Sequence, residues 1–378
     1  MRQTLLALAL GSALLAPAAF AADVTRTSVV ETYSQIVFAS YEDSLQGARE
    51  LKAAVDAFAA APSEDTLAKA RKAWLAAREP YGQTEAFRFY GGPIDDAKGP
   101  EGQINAWPLD EAYIDGVKGK PNAGIINNRK VAITKEKLSS LNERGGEENV
   151  STGYHAIEFL LWGQDFDVAG PGKRSFTDFV DGKAPNADRR REYLKVAAEL
   201  LVDDLASVTS QWKPGSNNYR AKFAKNPDAI RQIMVGIGVL SRAELAGERM
   251  EVALDSRNQE DEHSCFSDNT HRDVITNAKG IQNIWLGEYK RVDGSVVKGA
   301  SLRDLVAASN AKAAERVTAD MDATMKAAEG IQAPFDQEIV KKEGRSRVQA
   351  TVAALKKQAT SLVEAAKALG IKKLNVNG

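Results

Sequence analysis

Apolar residues recur every three or four positions along most of this chain, and strict strand-like alternation is scarce. Val29, Tyr33, Ile36, Val37, Tyr41, Leu45, Leu51, Val55 and Phe58 predict a long helix over 24–60. Pro62-Ser63-Glu64 reads as a turn and a new start. Trp74, Arg78, Tyr81, Glu85 and Phe89 then carry a helix over 66–90, with a kink expected at Pro80. Similar periodicity predicts helices over 188–212, 227–255, 270–289, 302–328 and 335–369, and partial helix over 122–143. Gly236 and Gly238 in the helix over 227–255 allow a neighbour to approach closely, and Asp293-Gly294 between valines predicts a turn or hairpin. The sum is an all-α fold, two helical-bundle halves packed together. Residues 22–164 form the first half, 165–187 a Gly/Pro-rich linker and 188–378 the second. The long loop over 91–124 is expected to be ordered and functional.

One stretch departs from this amphipathic pattern. Gly153-Tyr154-His155-Ala156-Ile157-Glu158-Phe159-Leu160-Leu161-Trp162-Gly163 is apolar nearly all round. Ser151 or Thr152 is placed to cap its start and Gly163 to end it. His155 and Glu158, at i and i+3, share one face. Burying such a pair is costly unless each member is hydrogen-bonded or bound to a metal. The functional reading makes both of them ligands of one metal ion, the spacing used by carboxylate helices in metal-binding bundles. The plainer alternative is a His–Glu hydrogen bond that only satisfies two half-buried groups.

Composition narrows the field little. Of 378 residues, 43% are hydrophobic and 27% charged, as in ordinary globular proteins, and the length suits two domains. Lys and Arg total 50 against 51 Asp and Glu, so net charge makes no case for nucleic acid or an anionic membrane. Arg2, the apolar run Leu5–Leu15 and Ala19-Phe20-Ala21 form a cleavable export signal over 1–21, which predicts a periplasmic protein; peripheral association with the outer membrane is compatible with this. The lone Cys265 excludes an intrachain disulfide. No segment is apolar for long enough to be a transmembrane helix.

The G-x-H-x-x-E run, together with Trp107-Pro108-Leu109-Asp110, Gly247-Glu248-Arg249-Met250, Phe266-Ser267-Asp268-Asn269-Thr270 and Ile284-Trp285-Leu286-Gly287-Glu288-Tyr289, resembles the imelysin-like family in its iron-regulated protein A branch. The resemblance spans most of the mature chain. It implies a secreted all-helical protein linked to iron uptake and, through the family's name, to peptidase activity.

A metal needs more than two ligands, and carboxylates are the best supply. Glu85, one turn beyond Tyr81, ranks first, followed by Glu248 and then Asp110. Each has a plain alternative: Glu85 pairing with Arg78 or Arg88, Glu248 with Arg242 or Arg249, and Asp110 capping a turn. Arg78, Trp107, Arg242, His263, Ser267 and Asn269 are expected to line the site. One imidazole with several carboxylates suits iron, and also zinc or manganese; iron rests on the resemblance. The expected partners are the metal or its chelate and an envelope iron-uptake protein.

Peptidase mechanics fit poorly. A zincin needs H-E-x-x-H, but Ala156 follows His155 and Phe159 stands where the second His belongs. Phe159 also breaks the inverted H-x-x-E-H form, and no Gly-x-Ser-x-Gly elbow is present. The alternatives to metal capture are a metallopeptidase using the same His and Glu, and a polysaccharide-binding module using the cleft aromatics.

Overall fold

A computed structural model describes residues 24–378; the export signal expected over 1–21 lies outside them. Helices of ten or more residues are labelled here in chain order. They are α1 (Arg26–Ala60), α2 (Glu64–Thr84), α3 (Gly153–Trp162), α4 (Ala187–Trp212), α5 (Ala229–Val239), α6 (Thr270–Leu286), α7 (Leu302–Ala328) and α8 (Lys342–Ala368). The fold is all-α, apart from one two-stranded antiparallel hairpin, Glu288–Lys290 with Val296–Lys298, that turns at Asp293-Gly294.

Several local rules operate as the pattern anticipates. Thr25 and Ser63 close capping boxes at the starts of α1 and α2. Helix α2 runs on through Pro80 to Thr84 and tightens into a 3-10 turn over Glu85–Phe87. Gly236 lets α5 reach the Ala86 and Arg88 carbonyls, since an added Cβ would lie 3.0 Å from each. The helix expected over 335–369 is broken at Lys341 into Phe335–Val340 and α8.

Packing sorts the helices differently from chain order. Helices α1, α2, α3 and α4 pack together, while α6, α7 and α8 pack with the continuation of α5. Helix α4, which follows the linker at 165–187, thus lies in space with the N-terminal helices. The two groups meet where α2 packs on α6.

Helix α5 passes directly into a π-helix over Leu240–Glu251 and then a last α-turn, Val252–Ser256. The sequence reading expected a plain α-helix here. The wider turn brings residues five apart into register, so Glu244 Oε1 accepts from Arg249 Nε at 3.0 Å and Nη2 at 2.8 Å.

Candidate functional site: an acidic cleft over a buried histidine pair

Every residue of α3 is buried. Its start is set by Gly153 at φ 80°, a conformation that favours glycine. Thr152 occupies the cap position, but its hydroxyl bonds outward instead, to the Gln103 carbonyl at 3.0 Å and Asn142 Oδ1 at 3.1 Å. At the other end Gly163 stops the helix, and Arg71 donates to the Leu161 carbonyl at 3.0 and 2.9 Å. Trp74 Nε1 donates to the Tyr154 carbonyl at 2.9 Å, and the Tyr193 hydroxyl to that of Ser151 at 2.7 Å. A helix this apolar is held by neighbours on all sides, which leaves its two ionisable residues no route to water.

They solve the problem jointly. His155 Nδ1 and Glu158 Oε2 lie 2.8 Å apart, and Glu158 Oε1 accepts from Ser267 N at 2.9 Å and Ser267 Oγ at 2.6 Å. Burial pushes the Glu158 carboxyl up to about 8, against the Ser267 bonds, and pushes the His155 imidazole down. At neutral pH the pair is therefore uncharged. His155 Nε2 has no hydrogen-bond partner. The imidazole is wedged against Trp107 and His263, with ring centroids 5.1 and 4.6 Å away.

Trp107 and His263 are in turn part of the wall of a cleft of about 270 Å³. His155 thus sits one side chain behind the cleft surface. His263 Nδ1 lies 3.3 Å from Asp273 Oδ2, and Nε2 faces Asn105 Nδ2 at 3.4 Å. Burial lifts the Asp273 carboxyl, but Arg78 and His263 outweigh that and hold it well below the usual range. Burial and then Arg249 push His263 down to about 4, so the ring is neutral. With Nδ1–H on ionised Asp273, the Nε2 lone pair is turned to the amide of Asn105, which also lines the cleft, and the carboxylate fixes the ring as it does for a ligating imidazole.

Above this floor the cleft is lined by six carboxylates, Glu101, Glu143, Glu147, Glu244, Glu248 and Asp261, with Arg88 and Arg249 between them. Arg88 pairs with Glu101 at 3.0 Å and Arg249 with Glu244 at 2.8 Å. Glu143, Glu147, Glu248 and Asp261 make no ion pair among the described residues. Burial and the neighbouring Glu147 raise the Glu143 carboxyl.

The sequence-based candidates are distributed unevenly over this site. His155 and Glu158 meet, but the oxygens of Glu158 are committed to His155 and Ser267, leaving only Nε2 unpartnered. Glu85 is 1% exposed and held by Arg249 at 2.5 Å, Arg88 at 2.8 Å and Asn105 at 3.5 Å. Burial raises its carboxyl, yet Arg249 and Arg88 hold it far below the usual range. It pins two arginines and has no oxygen free for an ion. Glu248 lines the cleft. Asp110 is exposed and caps the short helix Glu111–Ile114 by accepting from Ala112 N at 2.9 Å. Arg78 is buried against Asp273 and Asn105. Arg242 reaches Thr360 at 3.4 Å, outside the cleft lining. Ser267 holds Glu158, and Asn269 starts α6 and lines a separate groove. Among the described residues, no three His, Cys, Asp or Glu groups already stand around one point as a metal site.

Asp273, Asn105, Glu244 and Glu101 were not picked out by the sequence reading. Asp273 follows His271 on α6 and looks like any first-turn acid; only the fold puts His263 beside it.

A buried His–carboxylate core beneath a charged cleft is carried here on two packed groups of helices. The profile of the imelysin family matches residues 37–362, and the chain belongs to that family. It is 25% identical over 336 residues to iron-regulated protein A of Synechococcus elongatus, covering 86% of this chain and 81% of that one. Among solved structures it resembles an iron-regulated protein A precursor from Parabacteroides distasonis (TM-score 0.70, 21% identity, 89% of this chain and 93% of that one). It also resembles an imelysin-like protein from Psychrobacter arcticum (TM-score 0.63, 13% identity, 92% and 97%). Both likenesses concern the fold.

Proposed function

We propose that this protein captures iron as cargo in the cell envelope, binding the ion or its chelate in the acidic cleft. The observation that carries the reading is the lining: six carboxylates, four of them without a basic partner among the described residues, above the neutral His263 imidazole. Hard oxygen donors with one nitrogen suit iron and manganese better than soft metals. A concave acidic surface also concentrates cations ahead of binding. Arg88 and Arg249 add donors for the anionic part of a chelate. The names of the relatives point to iron in particular. His155 and Glu158 act from behind, their ring and carboxyl fixing His263 and Ser267.

The export signal expected over 1–21 supports an envelope location. No helix among the described residues is long and apolar enough to cross a membrane. The metallopeptidase alternative would need His155 and Glu158 as zinc ligands, whereas both oxygens of Glu158 are engaged by His155 and Ser267.

The test is iron retention after dialysis against ferric citrate, with Glu143→Gln/Glu248→Gln and His263→Ala beside the wild type. Stoichiometric iron in the wild type, weakened at least about tenfold in both variants, is the expected result. No retained iron, retention unchanged in both variants, or metal-dependent cleavage of unfolded casein lost in His155→Ala would each overturn the reading.

A further inference from the structure

The loop after α3 holds two large apolar side chains out in water. Phe166 is 67% exposed and Val168 65%, the highest values for large apolar residues among those described. The loop is tied down, so it is not free to fold them inward. Gln259 Nε2 donates to the Asp165 carbonyl at 2.7 Å, and Gly172 N to the Phe266 carbonyl at 2.9 Å. Gln337 Nε2 donates to the Val168 carbonyl, which brings the helix Phe335–Val340 against the loop. Val340, three residues after Gln337 and so one turn along, is 46% exposed. Exposed apolar residues scattered singly are ordinary; three on adjoining segments mark a contact surface.

The charges beside these tips say what kind of surface they meet. Lys118 Nζ lies over the Phe166 ring, 5.2 Å from its centroid. Lys341 and Lys342 follow Val340 directly and are exposed. None of these three lysines has an ion pair among the described residues. Lys173 pairs with Asp167, and the exposed Glu343 follows Lys342. Phe166 also forms part of the wall of a pocket of about 480 Å³, whose lining carries four bases, Lys118, Lys173, Arg174 and Arg190, against two acids, Asp115 and Asp178. Asp115 accepts from both arginines, yet Arg174 Nε is left without a hydrogen-bond partner. The near-zero net charge of the whole chain conceals this local excess of bases.

We propose that this surface docks on an anionic phospholipid bilayer, with Phe166, Val168 and Val340 entering the interfacial layer while Lys118, Lys341 and Lys342 meet lipid phosphates. A stable protein partner needs about 800 Å² of closely packed surface on each side. Three separate tips with lysines beside them do not offer that. They suit a deformable surface, where apolar side chains sink toward the acyl chains and amines stay at headgroup level. The attachment is peripheral: no helix among the described residues is long and apolar enough to span a bilayer. It stands or falls without the iron reading.

The experiment is co-sedimentation of the purified protein, freed of its export signal, with phosphatidylcholine vesicles that contain or lack phosphatidylglycerol. The variants are Phe166→Ser/Val168→Ser and Lys341→Glu/Lys342→Glu. The control is Val292→Ser/Val296→Ser on the hairpin, whose valines are 64% and 52% exposed. The wild type is expected to bind the phosphatidylglycerol vesicles, less so as salt screens the lysines. Each of the first two variants weakens binding at least about tenfold, and the hairpin control binds as the wild type does. All three keep the wild-type melting temperature, because the altered side chains lie in water. Phe166→Trp reports insertion directly, through quenching of its fluorescence by brominated lipid beyond that of the wild type. Binding that survives Phe166→Ser/Val168→Ser, equal loss in the hairpin control, or no added quenching in Phe166→Trp would overturn the proposal. So would a wild type that ignores vesicles and instead retains an envelope protein that Phe166→Ser/Val168→Ser does not; the surface would then belong to a protein partner.

Discussion

Gly153→Ala tests the physical reason for the first position of the G-x-H-x-x-E run. Gly153 has φ 80°, and a Cβ there would lie 2.4 Å from the Ile104 carbonyl oxygen and 2.7 Å from that of Gln103. The left-handed conformation costs a non-glycine residue about 1–2 kcal/mol. Real Cβ contacts stay beyond 3.0 Å, so the Gln103–Ile104 backbone must also retreat. Overpacking of this kind costs about 1–3 kcal/mol. The expected loss is therefore about 2–5 kcal/mol, a large fraction of the stability of an ordinary domain. The strain also reaches the cleft, because Asn105 follows Ile104 and donates toward Glu85 and His263. Equilibrium unfolding in urea, followed by circular dichroism, measures the loss. Gly146→Ala is the control, since its Cβ would meet only the Asn149 side chain, at 3.5 Å at the nearest; the expected change there is within about 0.5 kcal/mol. If Gly153→Ala costs less than about 1 kcal/mol, the steric account of this glycine is wrong.

Two further predictions concern buried charge. Glu85→Gln removes the carboxylate shared by Arg249 and Arg88, leaving two guanidinium groups under-compensated; a loss of about 3–5 kcal/mol in urea unfolding is expected, and a loss below about 1 kcal/mol would show that the arginines find other partners. Asp115 accepts from Arg190 at 2.7 and 3.0 Å and from Arg174 at 2.8 Å; burial raises its carboxyl, but these arginines bring it down to about 2. Because the folded-state value is depressed, its stabilisation is complete above about pH 4 and disappears as pH falls toward 2, amounting to about 2–3 kcal/mol. Asp115→Asn should flatten that part of the stability–pH curve, and an unchanged acid slope would refute the assignment.

The periodicity of apolar positions was enough to place most helices, because a helix buries one stripe and the stripe is written locally. The apolar run around His155 likewise announced a buried helix and the two groups that would have to satisfy each other. The π-helix over Leu240–Glu251 was not legible, since it differs from α-geometry only in which backbone carbonyl each amide meets. Nor could spacing reveal that Glu85 belongs to two arginines or that Asp110 is a cap. The local chain specifies that a carboxylate exists; its nearest partner is set by residues far away in sequence.

By itself, the sequence determined the all-α class, the buried His155–Glu158 pair and the glycine punctuation around it, all consequences of interactions within a few residues. The tertiary structure alone decided that His263 meets Asp273, that six acids share one cleft, and that Glu85 is held between two arginines. Electrostatic partnership acts through space over a few ångströms, and only folding determines which distant residues come that close.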